Sequence, residues 1–142
     1  MTTVTMEALL TSDLAQVWAL VTDLTAYAWR SDIGRIERED DGRRFVENTA
    51  DGYATTFLIT AFEPMTHYAF TMENSNMHGR WSGTFAQTPQ GTRLTFTEEV
   101  TAKKWWMKPL AGLYIKKQQQ RYLHDLKQAL GEAGSVAPKS LT

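Results

Sequence analysis

The 142-residue chain has no cysteine. Disulfide staples, a thiolate nucleophile and cysteine-ligated zinc are therefore excluded together. The three histidines, His67, His78 and His124, lack a second ligand-type residue at a recognised metal spacing, so no zinc or iron site is expected. A glycine-rich phosphate loop, a G-x-S-x-G elbow and a dinucleotide fingerprint are missing as well, and no cofactor is expected. The formal net charge of -1 supplies no overall basic field, which argues against nucleic acid as a partner. No stretch approaches the roughly 18 consecutive apolar residues of a membrane span. Residues 1–10 carry neither a basic residue nor a long apolar run, so a signal peptide is not expected and a cytoplasmic location is the default.

Hydrophobic residues make up 42% of the chain and charged residues 22%, an ordinary globular balance. The length suits one domain, expected over 1–133, with 134–142 as a frayed tail that contains Pro138. Residues 2–11 read as a strand. Ser12-Asp13 then offers an N-cap, followed by Leu14, Val17, Trp18, Val21 and Leu24 at helical spacing. Residues 25–29 are expected to add a short second helical turn, with Tyr27 and Trp29 wedged under the sheet. Six further strands follow, near 33–38, 43–48, 53–62, 67–72, 77–86 and 92–101, joined by short connections rich in Gly, Pro, Asn and Asp. Short connections make neighbouring strands antiparallel. A long helix ends the pattern, with Leu110, Leu113, Leu123, Leu126 and Leu130 expected on one face and Gly131 as its stop. Strands in a run followed by a helix indicate an α+β fold, and a long helix laid across a bent sheet leaves a pocket.

The order of elements and five short motifs resemble the START and birch-pollen-allergen superfamily (SRPBCC), nearest its polyketide cyclase/dehydrase-like branch. The motifs are Asp13-Leu14-Ala15-Gln16-Val17-Trp18 leading to Thr22-Asp23-Leu24, Trp29-Arg30-Ser31-Asp32, Phe62-Glu63-Pro64, residues 91–99, and the helical ending Arg121-Tyr122-Leu123-His124-Asp125-Leu126-Lys127. The resemblance covers nearly the whole chain. It implies the helix-grip fold, a curved antiparallel sheet of about seven strands around a long C-terminal helix, with an N-terminal helix pair after the first strand. It also implies a pocket for a hydrophobic or amphipathic small molecule. It implies no shared catalytic set, because fold does not fix function.

Strand alternation selects a candidate pocket wall. Tyr68, Phe70 and Met72 share one face, Trp81 and Phe85 another, and Phe96 and Glu98 a third; these apolar faces equally suit a plain core. In residues 53–62 both faces carry apolar side chains, so alternation does not assign the inner one. Glu98 is the weak catalytic candidate, because a carboxylate on an apolar face acquires a raised pKa unless a bulge or strand end returns it to water. On the last helix, Leu113, Tyr114 and Lys117 are candidate pocket residues, and one Lys and one Gln among Lys116, Lys117, Gln119 and Gln120 could reach a ligand's polar end. The segment Lys103-Lys104-Trp105-Trp106-Met107-Lys108 sets basic residues around two aromatics. Trp105 and Trp106 are candidates for a transient membrane or protein contact, a dimer contact or a cap on the pocket mouth; the plain alternative packs one Trp inside. Three functions fit: binding or transport of a small hydrophobic molecule, a polyketide cyclase/aromatase or dehydratase, and a protein-interaction or chaperone-activator-like module. The chain is expected to be a monomer or a homodimer.

Overall fold

The computed structural model describes residues 1–39 and 42–132. The expected tail, the domain end at 133, and Asp40 and Asp41 of the first hairpin lie outside the described residues. Strand β1 (Thr2–Leu10) is followed by helix α1 (Leu14–Thr22). Then come β2 (Arg35–Glu39), β3 (Arg44–Asn48), β4 (Ala54–Glu63), β5 (His67–Glu73), β6 (Met77–Thr88) and β7 (Gly91–Ala102). A 3-10 turn (Trp105–Leu110) leads into α2 (Ala111–Ala129). All seven strands form one antiparallel sheet in the order β1-β7-β6-β5-β4-β3-β2. Helix α2 packs on β1 and β7, and α1 packs on β6 and β7, giving the helix-grip arrangement.

One helix, not two, follows β1. Asp13 caps α1 through the Gln16 N–H at 2.9 Å, and the Gln16 side chain returns to the Asp13 N–H, a reciprocal capping box. The expected second turn does not form, because the Asp23 side chain takes the donors a helix would use. Its Oδ1 accepts from the Thr25 N–H at 2.8 Å, the Thr25 hydroxyl at 2.6 Å and the Ala26 N–H at 3.3 Å. Asp at this position competes locally with helix formation. Trp29 still packs on the core, edge-on to Tyr122 at 5.4 Å.

The buried face of α2 also differs from the expected leucine stripe. Ile115, Gln119 and Leu126 are buried and Tyr122 packs with them, at four, three and four residue steps. Leu110 and Leu113 face away and stand 63% and 58% exposed. Helix α2 ends where Gly131 takes a φ of 79° and the Glu132 N–H bonds back to the Lys127 carbonyl at 2.8 Å. That left-handed turn suits glycine and satisfies a carbonyl the helix end would orphan. The turn aims the Glu132 carboxylate at the start of α1, where it accepts from the Thr11 N–H, the Ser12 N–H and the Ser12 hydroxyl at 2.8, 3.0 and 2.6 Å.

Strand β4 carries a register shift between Ile59 and Ala61. Before it, Phe57 and Ile59 lie opposite Met72 and Phe70; after it, Phe62 lies opposite Tyr68. The inner face thus passes from odd to even numbers within one strand, which is why simple alternation could not assign it.

Candidate functional site

A cavity of about 210 Å³ lies between the concave face of the sheet and α2. Aromatic side chains dominate its wall because β3 to β7 each point alternate residues inward. Phe45 and Phe57 stack at 4.8 Å, Phe70 and Trp81 stack at 5.0 Å, and Phe96 joins Trp81 to Tyr122 at 5.6 and 6.0 Å. Gly83 makes room for the Trp81 ring: a Cβ there would sit 2.6 Å from the indole.

Among the polar side chains in this wall, two clusters carry buried ionisable groups. The first is built on Arg30, in the loop after α1. Its Nε and one terminal nitrogen bond Asp32 at 3.2 and 3.3 Å, and its other terminal nitrogen bonds Glu47 of β3 at 3.3 Å. The guanidinium carbon lies 5.0 Å from the Tyr122 ring centre and 5.8 Å from that of Trp29, within cation–π range. Burial opposes its charge, but Glu47, Tyr122 and Asp32 outweigh this and hold Arg30 protonated above its ordinary range. Burial pushes Glu47 upward, and Arg30 offsets part of that. The loop is tied to α2 through Ser31, whose N–H and hydroxyl donate to Asp125 at 2.8 and 2.7 Å.

The second polar group is Glu98 with Gln119. Strand β7 stays regular through Glu98, which lies opposite Trp81 on β6 and Val4 on β1. No bulge returns it to solvent. Burial pushes its carboxyl up to about 7, with the Gln119 amide partly offsetting the shift by hydrogen bonding and the charge of Glu47 adding to it. Gln119 is 2% exposed and its Nε2 donates to the Val4 carbonyl at 3.1 Å. Its Oε1 is buried without a donor. Burial also raises the Tyr68 and Tyr122 hydroxyls above their usual range, so both remain neutral donors.

Among the residues singled out from sequence, Tyr68, Phe70, Met72, Trp81, Phe96, Glu98 and Tyr114 border this one cavity. Tyr114 does so from the rim, 63% exposed, where its hydroxyl accepts from Gln118 at 3.0 Å. Three others lie elsewhere. Phe85 is buried beyond the cavity's end against Trp18 of α1, at 4.9 Å. Leu113 and Lys117 point to solvent because α2 turns its Ile115–Gln119–Tyr122 side inward. Arg30, Asp32, Glu47 and Tyr122 went unrecognised. Glu47 carried a readable signal: it shares a strand face with Phe45, as Glu98 does with Phe96. Among the described residues, no three His, Asp or Glu side chains group as metal ligands, and no helix is long and apolar enough to cross a membrane.

Residues 1–131 match the family described as polyketide cyclase / dehydrase and lipid transport. The chain belongs to this family. Its fold recurs in solved structures. A Mesorhizobium loti protein superposes with a TM-score of 0.77 at 18% identity, over 92% of this chain and 97% of that one. A START superfamily protein from Mycobacterium smegmatis gives 0.76 at 13% identity, over 92% and 97%. DynU16, a protein of the dynemicin biosynthetic locus, gives 0.74 at 16%; the match covers 91% of this chain and 47% of DynU16. At these identities the likeness speaks for the fold alone. No curated protein sequence matches the chain.

Proposed function

We propose that this member of the family binds and carries a compact amphipathic molecule, with an apolar body among the cavity's aromatic rings and a hydrogen-bond donor facing Glu98 and Gln119. The observation that carries this reading is the buried Gln119 Oε1, without a donor, next to a carboxyl on an aromatic wall. A buried polar atom without a partner costs about 1–3 kcal/mol, and a ligand hydroxyl or N–H would relieve it. The cavity, about 210 Å³, is smaller than the roughly 300–1,000 Å³ of drug-sized pockets. That favours a small ring system over a long acyl chain.

Calorimetric titration with naphthol and with naphthalene tests the reading. Naphthol should bind the wild-type protein at least tenfold more tightly than naphthalene, and Glu98→Leu should abolish that preference. Equal affinities in the wild type would contradict the donor-facing polar end.

A second reading is favoured by Glu98 itself. A carboxyl that titrates near pH 7 is suited to general acid–base work. In a polyketide cyclase or dehydratase, Glu98 would exchange a proton with a carbonyl or enol held against Trp81 and Phe96. Glu98→Gln should then remove turnover of a poly-β-keto thioester while leaving its binding intact. Unchanged turnover would take Glu98 out of any such mechanism.

A further inference from the structure

The 3-10 turn and the first half of α2 carry a feature the cavity does not use. Trp105, Trp106, Leu110, Leu113 and Tyr114 are 80%, 59%, 63%, 58% and 63% exposed. Isolated exposed apolar residues are ordinary, but five large ones within ten positions are not. Trp105, Trp106 and Leu110 lie in the 3-10 turn and Leu113 and Tyr114 in the first turn of α2, with Leu113 on the side of that helix opposite Ile115, Gln119, Tyr122 and Leu126. The 3-10 turn and the first turn of α2 therefore present large apolar side chains to solvent, while the opposite side of α2 meets the sheet.

Charge is segregated onto the same segment. Six of the chain's 15 basic residues fall within 103–121, and no Asp or Glu lies among them. The remaining nine basic residues share the rest of the chain with all 16 acidic ones, so a chain of net charge -1 carries one stretch whose charged positions are all basic. Lys103 is engaged by Glu73 at 2.9 Å and Lys104 by Asn76 at 2.9 Å, which fastens the turn to the β5–β6 hairpin. Lys108, Lys116 and Lys117 are exposed beside the aromatic residues.

We infer that this face docks on an anionic phospholipid bilayer, with Trp105, Trp106, Leu110 and Leu113 entering the headgroup boundary and Lys108, Lys116 and Lys117 meeting lipid phosphates. Trp is suited to that boundary, having an apolar body and a polar N–H. Charge complementarity selects the partner: each lysine near an anionic surface is worth roughly a fivefold gain in affinity, and the apolar side chains add to it. The docked face adjoins the cavity through Tyr114, which belongs to both the exposed patch and the cavity rim. Docking there would bring the cavity mouth to the lipid surface. The inference does not depend on what fills the cavity.

The test is flotation of the full chain with vesicles of pure phosphatidylcholine and with vesicles of equal parts phosphatidylcholine and phosphatidylglycerol. The wild type should float with the anionic vesicles only, and less at high salt. Trp105→Ser combined with Trp106→Ser, and separately Lys108→Glu with Lys116→Glu and Lys117→Glu, should each weaken recovery at least tenfold. Every substituted side chain is exposed, so thermal unfolding midpoints should match the wild type. Wild-type protein that stays down with both vesicles overturns the inference. So does a double-Trp variant that floats as well as the wild type. A concentration-dependent dimer in sedimentation that the double-Trp variant dissolves, without vesicle binding, would give the face to a second copy of this chain and equally overturn it.

Discussion

Asp125 on α2 accepts two hydrogen bonds from Ser31, at 2.8 Å from its N–H and 2.7 Å from its hydroxyl, while Arg121 donates to the same hydroxyl at 2.8 Å and to the Ser31 carbonyl at 3.1 Å. Helix α2 thereby grips the short loop whose flanking residues, Arg30 and Asp32, supply one polar end of the cavity. Asp125 is 5% exposed, and its removal would cost the loop both Ser31 hydrogen bonds. Asp125→Ala should cost about 1.5–3 kcal/mol, the net worth of hydrogen bonding to a charged acceptor. Urea unfolding measures this. A loss below about 0.5 kcal/mol would mean that the loop is held by other contacts.

Glu98 makes stability depend on pH in a defined direction. Its carboxyl has an ordinary value of 4.5 and is pushed up to about 7 in the folded chain by burial. Between these values the folded state binds more protons than the unfolded one. Stability therefore falls as pH rises through the window and stays lower above it. Glu98→Gln removes this contribution. The variant should gain on the wild type across pH 4.5 to 7, by up to about 3 kcal/mol at the upper end, and show no gain from this source below the window. Urea unfolding at stepped pH follows it. Parallel curves for the two proteins would place the Glu98 titration outside this range.

Gly83 lies against the Trp81 ring of the cavity wall, where a single added methyl group should reshape the site. Its added Cβ would meet the Trp81 indole at 2.6 and 2.9 Å, closer than side chains tolerate. Trp81 is stacked on Phe70, so the indole can yield only by disturbing that pair. Gly83→Ala should lose about 1–3 kcal/mol of stability and weaken naphthol binding several-fold. Unaltered binding would show that Trp81 moves away without narrowing the cavity.

The parts legible in the sequence were those governed by local rules. Turn residues between apolar runs located every strand to within a few positions, and period-two alternation put Tyr68, Phe70, Trp81 and Phe96 on one interior. Glu98 was visible because it broke an apolar face. What the sequence hid depends on distant partners. Arg30 finds Glu47 only after the sheet has formed, 17 positions along the chain. The register shift in β4 reverses alternation partway, so neither parity describes the whole strand. The leucines at 110, 113, 123, 126 and 130 suggested one face, whereas the true core face runs through Ile115, Gln119, Tyr122 and Leu126 and contains a glutamine. Periodicity alone ranks such faces wrongly. The same circumstance leaves an apolar, basic surface unused by the fold.

Two-dimensional NMR of the methyl- and aromatic-labelled protein, titrated with naphthol, tests the central claim most directly. The cavity account predicts saturable shifts at Met72, Tyr68, Phe70, Trp81, Phe96 and Tyr122, with intermolecular contacts to those rings and a downward move of the Glu98 carboxyl titration from its position near pH 7. Shifts confined to Trp105, Trp106 and Leu113, with the interior rings unmoved, would contradict it.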